Sequence, residues 1–256
     1  MKTKEDIVNN WLPRYTGIPV KEFGDYILLT NFQQYVDIFA EWEGVKVKDV
    51  NRPMPAATSG RISIINFGMG SANAATVMDL LSACKPKACL FLGKCGGLHK
   101  NNKLGDLILP IAAIRGEGTS NDYYPPEVPA LPAFSLQKAV STSIRDNDMD
   151  YWTGTIYTTN RRVWEYDHEF KDYLVKIRCM GVDMETATIF TVGFANHITT
   201  GALLLVSDNP MFSSGVKTEK SDKKVSKKFV SMHLKIGMDS LNLLINNGLT
   251  VKHLRF

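Results

Sequence analysis

Two carboxylates, Asp183 and Glu185, stand one residue apart in the stretch VDMETATIF, immediately before an apolar run. An acid that enters a protein interior is stable there when it is paired or hydrogen-bonded. In the first turn of a helix the macrodipole favours negative charge, so capping accounts for one of the two. It does not explain why both flank Met184 as the chain enters an apolar helix. A third acid, Asp208, closes the apolar run LLLVSDNP. At the mouth of a buried strand a carboxyl group is partly desolvated, which raises its pKa and lets it hold a proton near neutrality, as a general acid must. The alternative use of Asp208 is an Asx turn that ends the strand before Pro210.

Cations follow the same strand-end placement. Lys94, in GKCGG, lies just past a buried run; it either snorkels to solvent or meets an anion. The stretch TTNRR brings together Thr158, Thr159, Asn160, Arg161 and Arg162. Guanidinium forks match phosphate oxygens, so this is either a phosphate cradle or a loop with its charges in water. FGMGSAN offers a glycine turn around Met69 and a helix start suited to an anion, or else a tight packing turn. No Gly-Lys-Ser/Thr follows it, and Ala74 and Ala75 stand where the last glycine of a dinucleotide fingerprint would fall. The five histidines are scattered, and the four cysteines match no zinc or redox spacing. Neither a metal nor another cofactor is expected, and the thiols read as reduced and buried in a cytoplasmic protein.

These groups need strands that end beside one another, and the hydropathy pattern supplies them. Strands are expected over 25–30, 61–70, 88–97, 105–118, 150–160 and 200–210, and helices over 31–42, 71–84, 133–146 and 165–178. Asn31 is placed to cap the first of these helices. A last helix over 221–247 carries Val225, Phe229, Val230, Ile236, Leu241, Leu244 and Ile245 on one face, with Ser221 as its cap and Gly248 as its stop. The proline-rich stretch 121–132 cannot join a sheet interior. Without repeats or linkers, residues 1–256 read as a single doubly wound α/β domain, whose ligands bind beyond the carboxyl ends of the strands. The net charge of +4 compels neither nucleic acid nor membrane binding and suits a small anionic substrate. The run KTEKSDKKVSKK reads as the solvated start of the last helix. No apolar segment approaches the ~20 residues of a bilayer span, and the start of the chain lacks the apolar core of a secretory signal.

In order and spacing, FGMGSAN, LGKCGG, LGDLILP, VDMETA and LLLVSDNP resemble the nucleoside phosphorylase/nucleosidase superfamily, over nearly the whole chain from residue 25. RGEGTSNDYYPPEVPALPAF, YTTNRRVWE and GVKTEKSD followed by FVSMHLKIGMDSLN resemble its AMP nucleosidase family. The resemblance implies a three-layer α/β/α sandwich around a mixed, twisted sheet. It also implies hydrolysis of the N-glycosidic bond of AMP to adenine and ribose 5-phosphate, within purine salvage.

By that pattern Glu185 holds the ribose hydroxyls, Met184 and Met69 pack on the sugar, and Asp208 protonates or hydrogen-bonds N7 of the departing base. Asp183 orients. Phosphorylases carry an arginine where Phe91 stands and a serine where Lys94 stands, and their Pro-Gly-Asp-x-x-Arg loop is missing here. Water is therefore left as the nucleophile, with Asp183 and Glu117 as candidate bases. The positive charge moves to the substrate's 5′-phosphate: Lys94, Thr159, Asn160, Arg161 and Arg162, with Lys217 or Lys220 above. Trp164 or Tyr157 stacks on adenine or belongs to the core. Arg52 reaches a neighbouring subunit in a homohexamer, a trimer of dimers. The extra N-terminal domain of longer AMP nucleosidases is not expected. A phosphorylase or methylthioadenosine-type nucleosidase of the same fold, and a nucleotide sensor without turnover, are the rival readings.

Overall fold

A computed structural model describes residues 2–212 and 215–247. The strands with the strongest apolar runs form its centre. Strands β1 (Tyr26–Thr30), β4 (Ala88–Gly97) and β8 (Thr200–Asp208) are buried along their whole length, as strands covered on both faces must be. With β2 (Ala56–Ser59), β3 (Ile62–Asn66), β5 (Leu107–Gly116), β6 (Tyr151–Thr159) and β7 (Gly181–Asp183) they build one sheet in the order β2-β3-β1-β4-β7-β6-β5-β8. The sheet is mixed. β1 is parallel to β3 and β4, whereas β7 is antiparallel to β4 and β5 is antiparallel to β8. Because β8 also pairs with β4, the strands β4, β7, β6, β5 and β8 close on themselves, which the sequence pattern does not reveal.

Alternation along the strands divides the core in two. Ile27, Leu29, Phe91 and Leu204 pack with helices α1 (Lys4–Thr16), α3 (Ser71–Leu81) and α6 (Thr186–Ala195). Leu28, Leu90, Leu92 and Leu205 pack on the other side with α2 (Gln33–Glu43), α4 (Phe134–Asp146) and α7 (Glu219–Asn247). This is the expected three-layer arrangement. A smaller cluster of Leu98, Trp164, Leu174, Cys179 and Val182 lies under α5 (His168–Lys176). Cys89, Cys95 and Cys179 are buried and Cys84 is half-buried, all as free thiols. No helix among the described residues is long and apolar enough to cross a membrane.

Several boundaries differ from the pattern. Helix α1 was not foreseen; it is held by a capping box between Thr3 and Asp6 and ends at Gly17 in the left-handed region. Asn31 does not cap α2, which starts one residue beyond Phe32 without a side-chain cap. Helix α5 starts at His168 because Asp167, two residues after Glu165, accepts the Phe170 amide at 3.0 Å. Helix α7 starts at Glu219, so Ser221 lies inside it, while Gly248 is outside the described residues.

Candidate active site

Strands β4 and β8 run side by side until a register shift: Cys95 pairs with Val206, but Gly96 pairs with Asp208. Ser207 is the extra residue. Bulges of this kind re-aim side chains at strand ends, and here Asp208 lines a cleft of about 620 Å³, open solvent included. The Ser207 hydroxyl donates to Asp208 Oδ1 at 2.7 Å. Burial pushes the Asp208 pKa up; the Ser207 bond and the charges of Lys217 and Arg162 oppose it, and Glu165 adds to it.

The two acids of VDMET separate their tasks. Asp183 Oδ2 accepts the Thr186 amide at 2.8 Å and the Thr186 hydroxyl, and Oδ1 accepts the Thr158 hydroxyl at 2.7 Å. The Thr158 oxygen in turn accepts the Ala187 amide at 2.9 Å. Asp183 thus caps α6 together with a threonine from β6. Burial raises its pKa against these bonds. Replacing Asp183 with alanine should cost about 2–3 kcal/mol of stability, since a cap is lost and buried donors are stranded. Urea denaturation of the variant measures this.

Glu185 occupies the position before α6 but caps nothing. Its side chain turns into the cleft, 2% exposed. There Oε1 accepts the Gly70 amide at 2.7 Å and Oε2 accepts the Met184 amide at 3.3 Å. Gly70 has φ 93, a conformation that strains any residue with a Cβ. The glycine turn before α3 therefore does hold an anion, and the anion is a side chain of the same protein. Burial and the charge of Asp183 raise the Glu185 pKa, while the two amides and Asn31 oppose the rise. Asn31 is thus a site residue; its Oδ1 is buried without a partner.

The cationic wall comes from β4 and from the segment between β8 and α7. The Lys94 side chain is 3% exposed, so it does not snorkel. Its Nζ lies 2.7 Å from Ser226 Oγ, 3.1 Å from Asp222 Oδ1 and 4.2 Å from the centre of the Phe32 ring. Lys217 Nζ is 3.1 Å from the same Asp222 oxygen. Burial lowers the Lys94 pKa, and Asp222 counters it. Arg161 and Arg162 line the cleft from its rim, paired with Asp167 at 2.8 Å and Glu165 at 3.4 Å.

A family profile described as the phosphorylase superfamily matches residues 25–241. The chain belongs to that superfamily. An AMP nucleosidase from Bacteroides thetaiotaomicron VPI-5482, known as a crystal structure, is 57% identical and superposes with a TM-score of 0.86, covering 96% of this chain and 100% of that one. The AMP nucleosidase of Escherichia coli K12 is 28% identical over 93% of this chain, which spans 58% of that protein's length. A uridine phosphorylase from Vibrio fischeri ES114, 21% identical, shares the fold with a TM-score of 0.78 over 88% of this chain and 94% of its own.

Within this phosphorylase-superfamily cleft, most of the residues singled out from the sequence meet. Met69, Lys94, Thr159, Arg161, Arg162, Asp183, Met184, Glu185 and Asp208 all line it. Asn160 does not; it is exposed beyond the end of β6. Arg52 also lies outside its own chain's cleft, paired with Asp49 at 2.8 Å on the surface. Glu117 is buried elsewhere and accepts the Ser120 amide at 3.1 Å, so it faces no cleft water. Of the two aromatic candidates Trp164 lines the cleft, whereas Tyr157 packs edge-on against Phe170 and Tyr173. Lys217, not Lys220, borders the cleft. Phe32, Glu165 and Ser207 were missed. Ser207 had a signal, as the residue beside a strand-end acid; Phe32 had none. Among the described residues no group of three or more His, Cys, Asp or Glu side chains is placed to hold a metal.

Proposed function

We propose that the protein is an AMP nucleosidase, in which water replaces adenine at C1′ of AMP and yields adenine and ribose 5-phosphate. The observation that carries this reading is the convergence of buried Asp208 and Glu185 in one cleft whose wall holds Lys94 and Lys217. The position that would hold inorganic phosphate in a phosphorylase is Phe91, wholly buried and 5.7 Å from the Phe67 ring. The 57% identity to the Bacteroides AMP nucleosidase over its whole length supports the same reading.

Cleavage of the C1′–N9 bond gives an oxocarbenium-like ribose, as in other glycoside hydrolyses. Asp208, whose pKa burial raises, acts in its protonated form and donates to N7, so adenine departs neutral. Glu185 accepts the ribose hydroxyls and places negative charge near the cation. Met184 and Met69 flank the sugar, and Trp164 offers its ring to the base. Asp183 has its oxygens engaged by Thr158 and Thr186, so its part is to fix the backbone that carries Glu185. The 5′-phosphate goes to Lys94 and Lys217, with Thr159, Arg161 and Arg162 at the rim.

The test is product analysis with AMP in the presence and absence of inorganic phosphate. Ribose 5-phosphate should form at a rate independent of added phosphate. Ribose 1,5-bisphosphate would make the protein a phosphorylase, and binding of AMP without adenine release would make it a sensor.

The reading extends to residues 1–256 as one catalytic domain, since a single sheet takes strands from both halves of the chain. It extends also to a cytoplasmic role in purine salvage, in keeping with the free thiols. A homohexamer built as a trimer of dimers would put surface Arg52 to use at a neighbouring subunit's cleft.

A further inference from the structure

The two lysines that form the inner cationic wall converge on a single oxygen. Lys94 Nζ and Lys217 Nζ each lie 3.1 Å from Asp222 Oδ1. Both also sit over the face of Phe32, at 4.2 and 5.9 Å from its centre. Lys94, Lys217 and Phe32 line the cleft, whereas Asp222 stands behind them in the first turn of α7. Asp222 is itself 36% exposed, and the two ammonium groups hold its pKa below the usual carboxylate range. An anion that enters the cleft must therefore take these lysines from a carboxylate already bound to them.

We propose that Asp222 is a specificity residue of the cleft, resting on the 5′-phosphate reading above. As shared counter-anion of Lys94 and Lys217 it sets the strength of hold an anion needs, so that a phosphate carried by a nucleoside displaces it and free inorganic phosphate does not. The physical basis is the tether. A 5′-phosphate arrives with base and ribose contacts already made at Asp208 and Glu185, which raises its effective concentration at the lysines. Inorganic phosphate has no such contacts and must compete with Asp222 alone. A cleft of phosphorylase descent thereby stays open to a nucleotide in the presence of free phosphate. Ser226, 2.7 Å from Lys94 Nζ, keeps that ammonium hydrogen-bonded when the carboxylate swings away.

The experiment measures adenine release from AMP and from adenosine, with inorganic phosphate as inhibitor, in wild type, Asp222→Asn and Asp222→Ser. Removing the competing carboxylate should lower the inhibition constant of phosphate by about tenfold and the KM for AMP by a smaller factor. Base and ribose contacts hold AMP whether or not the lysines grip its phosphate, so the ratio of the two shifts toward phosphate. Adenosine kinetics and kcat should stay within about twofold of wild type, and Asp222→Glu should restore weak phosphate binding. If either neutral variant leaves the phosphate inhibition constant unchanged or raises it, Asp222 orients the lysines instead, and the proposal falls. Lys94→Met separates this from the underlying reading. A loss confined to AMP keeps the 5′-phosphate site, whatever Asp222 does. Equal losses on AMP and adenosine remove the site and the proposal together.

Discussion

Asp208→Asn should lower the rate constant for adenine release by about 10²–10⁴-fold, the usual worth of a positioned general acid. The amide has nearly the shape of the carboxylic acid and can still accept the Ser207 hydroxyl seen at 2.7 Å. It cannot hand over a proton. The loss should therefore appear in kcat, with KM for AMP little changed. The pH profile supplies the sign. Burial raises the pKa of Asp208, the protonated form is the active one, and the wild-type rate should fall as pH rises through that raised value. In the asparagine variant this alkaline limb should vanish. Single-turnover measurements across pH read both effects, and a variant as fast as wild type would remove Asp208 from the chemistry.

Glu185→Gln should cost about 10²–10³-fold in kcat, comparable to removing one preorganised electrostatic partner of a charged transition state. The neutral amide keeps one acceptor for a ribose hydroxyl but puts no negative charge beside the developing cation. Glu185 must be ionised to act, and its pKa is raised by burial and by Asp183. Activity should accordingly fall as pH drops through that raised pKa, and the glutamine variant should lose this acidic limb. Where the two titration ranges overlap, only part of the enzyme holds the productive pair, Asp208 protonated and Glu185 ionised, so the wild-type bell should be narrow. An unchanged acidic limb in Glu185→Gln would assign that limb to another group.

The contrast between Asp183 and Glu185 shows how far local pattern reaches. Two acids before an apolar helix raise the question of cap against ligand, and each answer holds for one of them. Which acid takes which task depends on Thr158, 25 residues away in sequence from Asp183, and on Gly70, 115 residues from Glu185. Asn31 has the local signature of a cap, an asparagine before an apolar helix. Its actual neighbour, Glu185, comes from the far half of the chain. Lys94 presents the same limit: a buried lysine implies an anion, but Asp222 lies 128 residues on, inside what reads as a solvated charge run.

The chain by itself determined the buried strands, the helical faces and the acids at strand ends, because periodicity and desolvation act over a few neighbouring residues. Only the tertiary structure decided that β8 pairs with both β4 and β5, that a bulge at Ser207 turns Asp208 into the cleft, and that Asp222 neutralises two lysines there. Those outcomes depend on strand register and on charges brought together across the sheet, and nothing in a local stretch of residues encodes either.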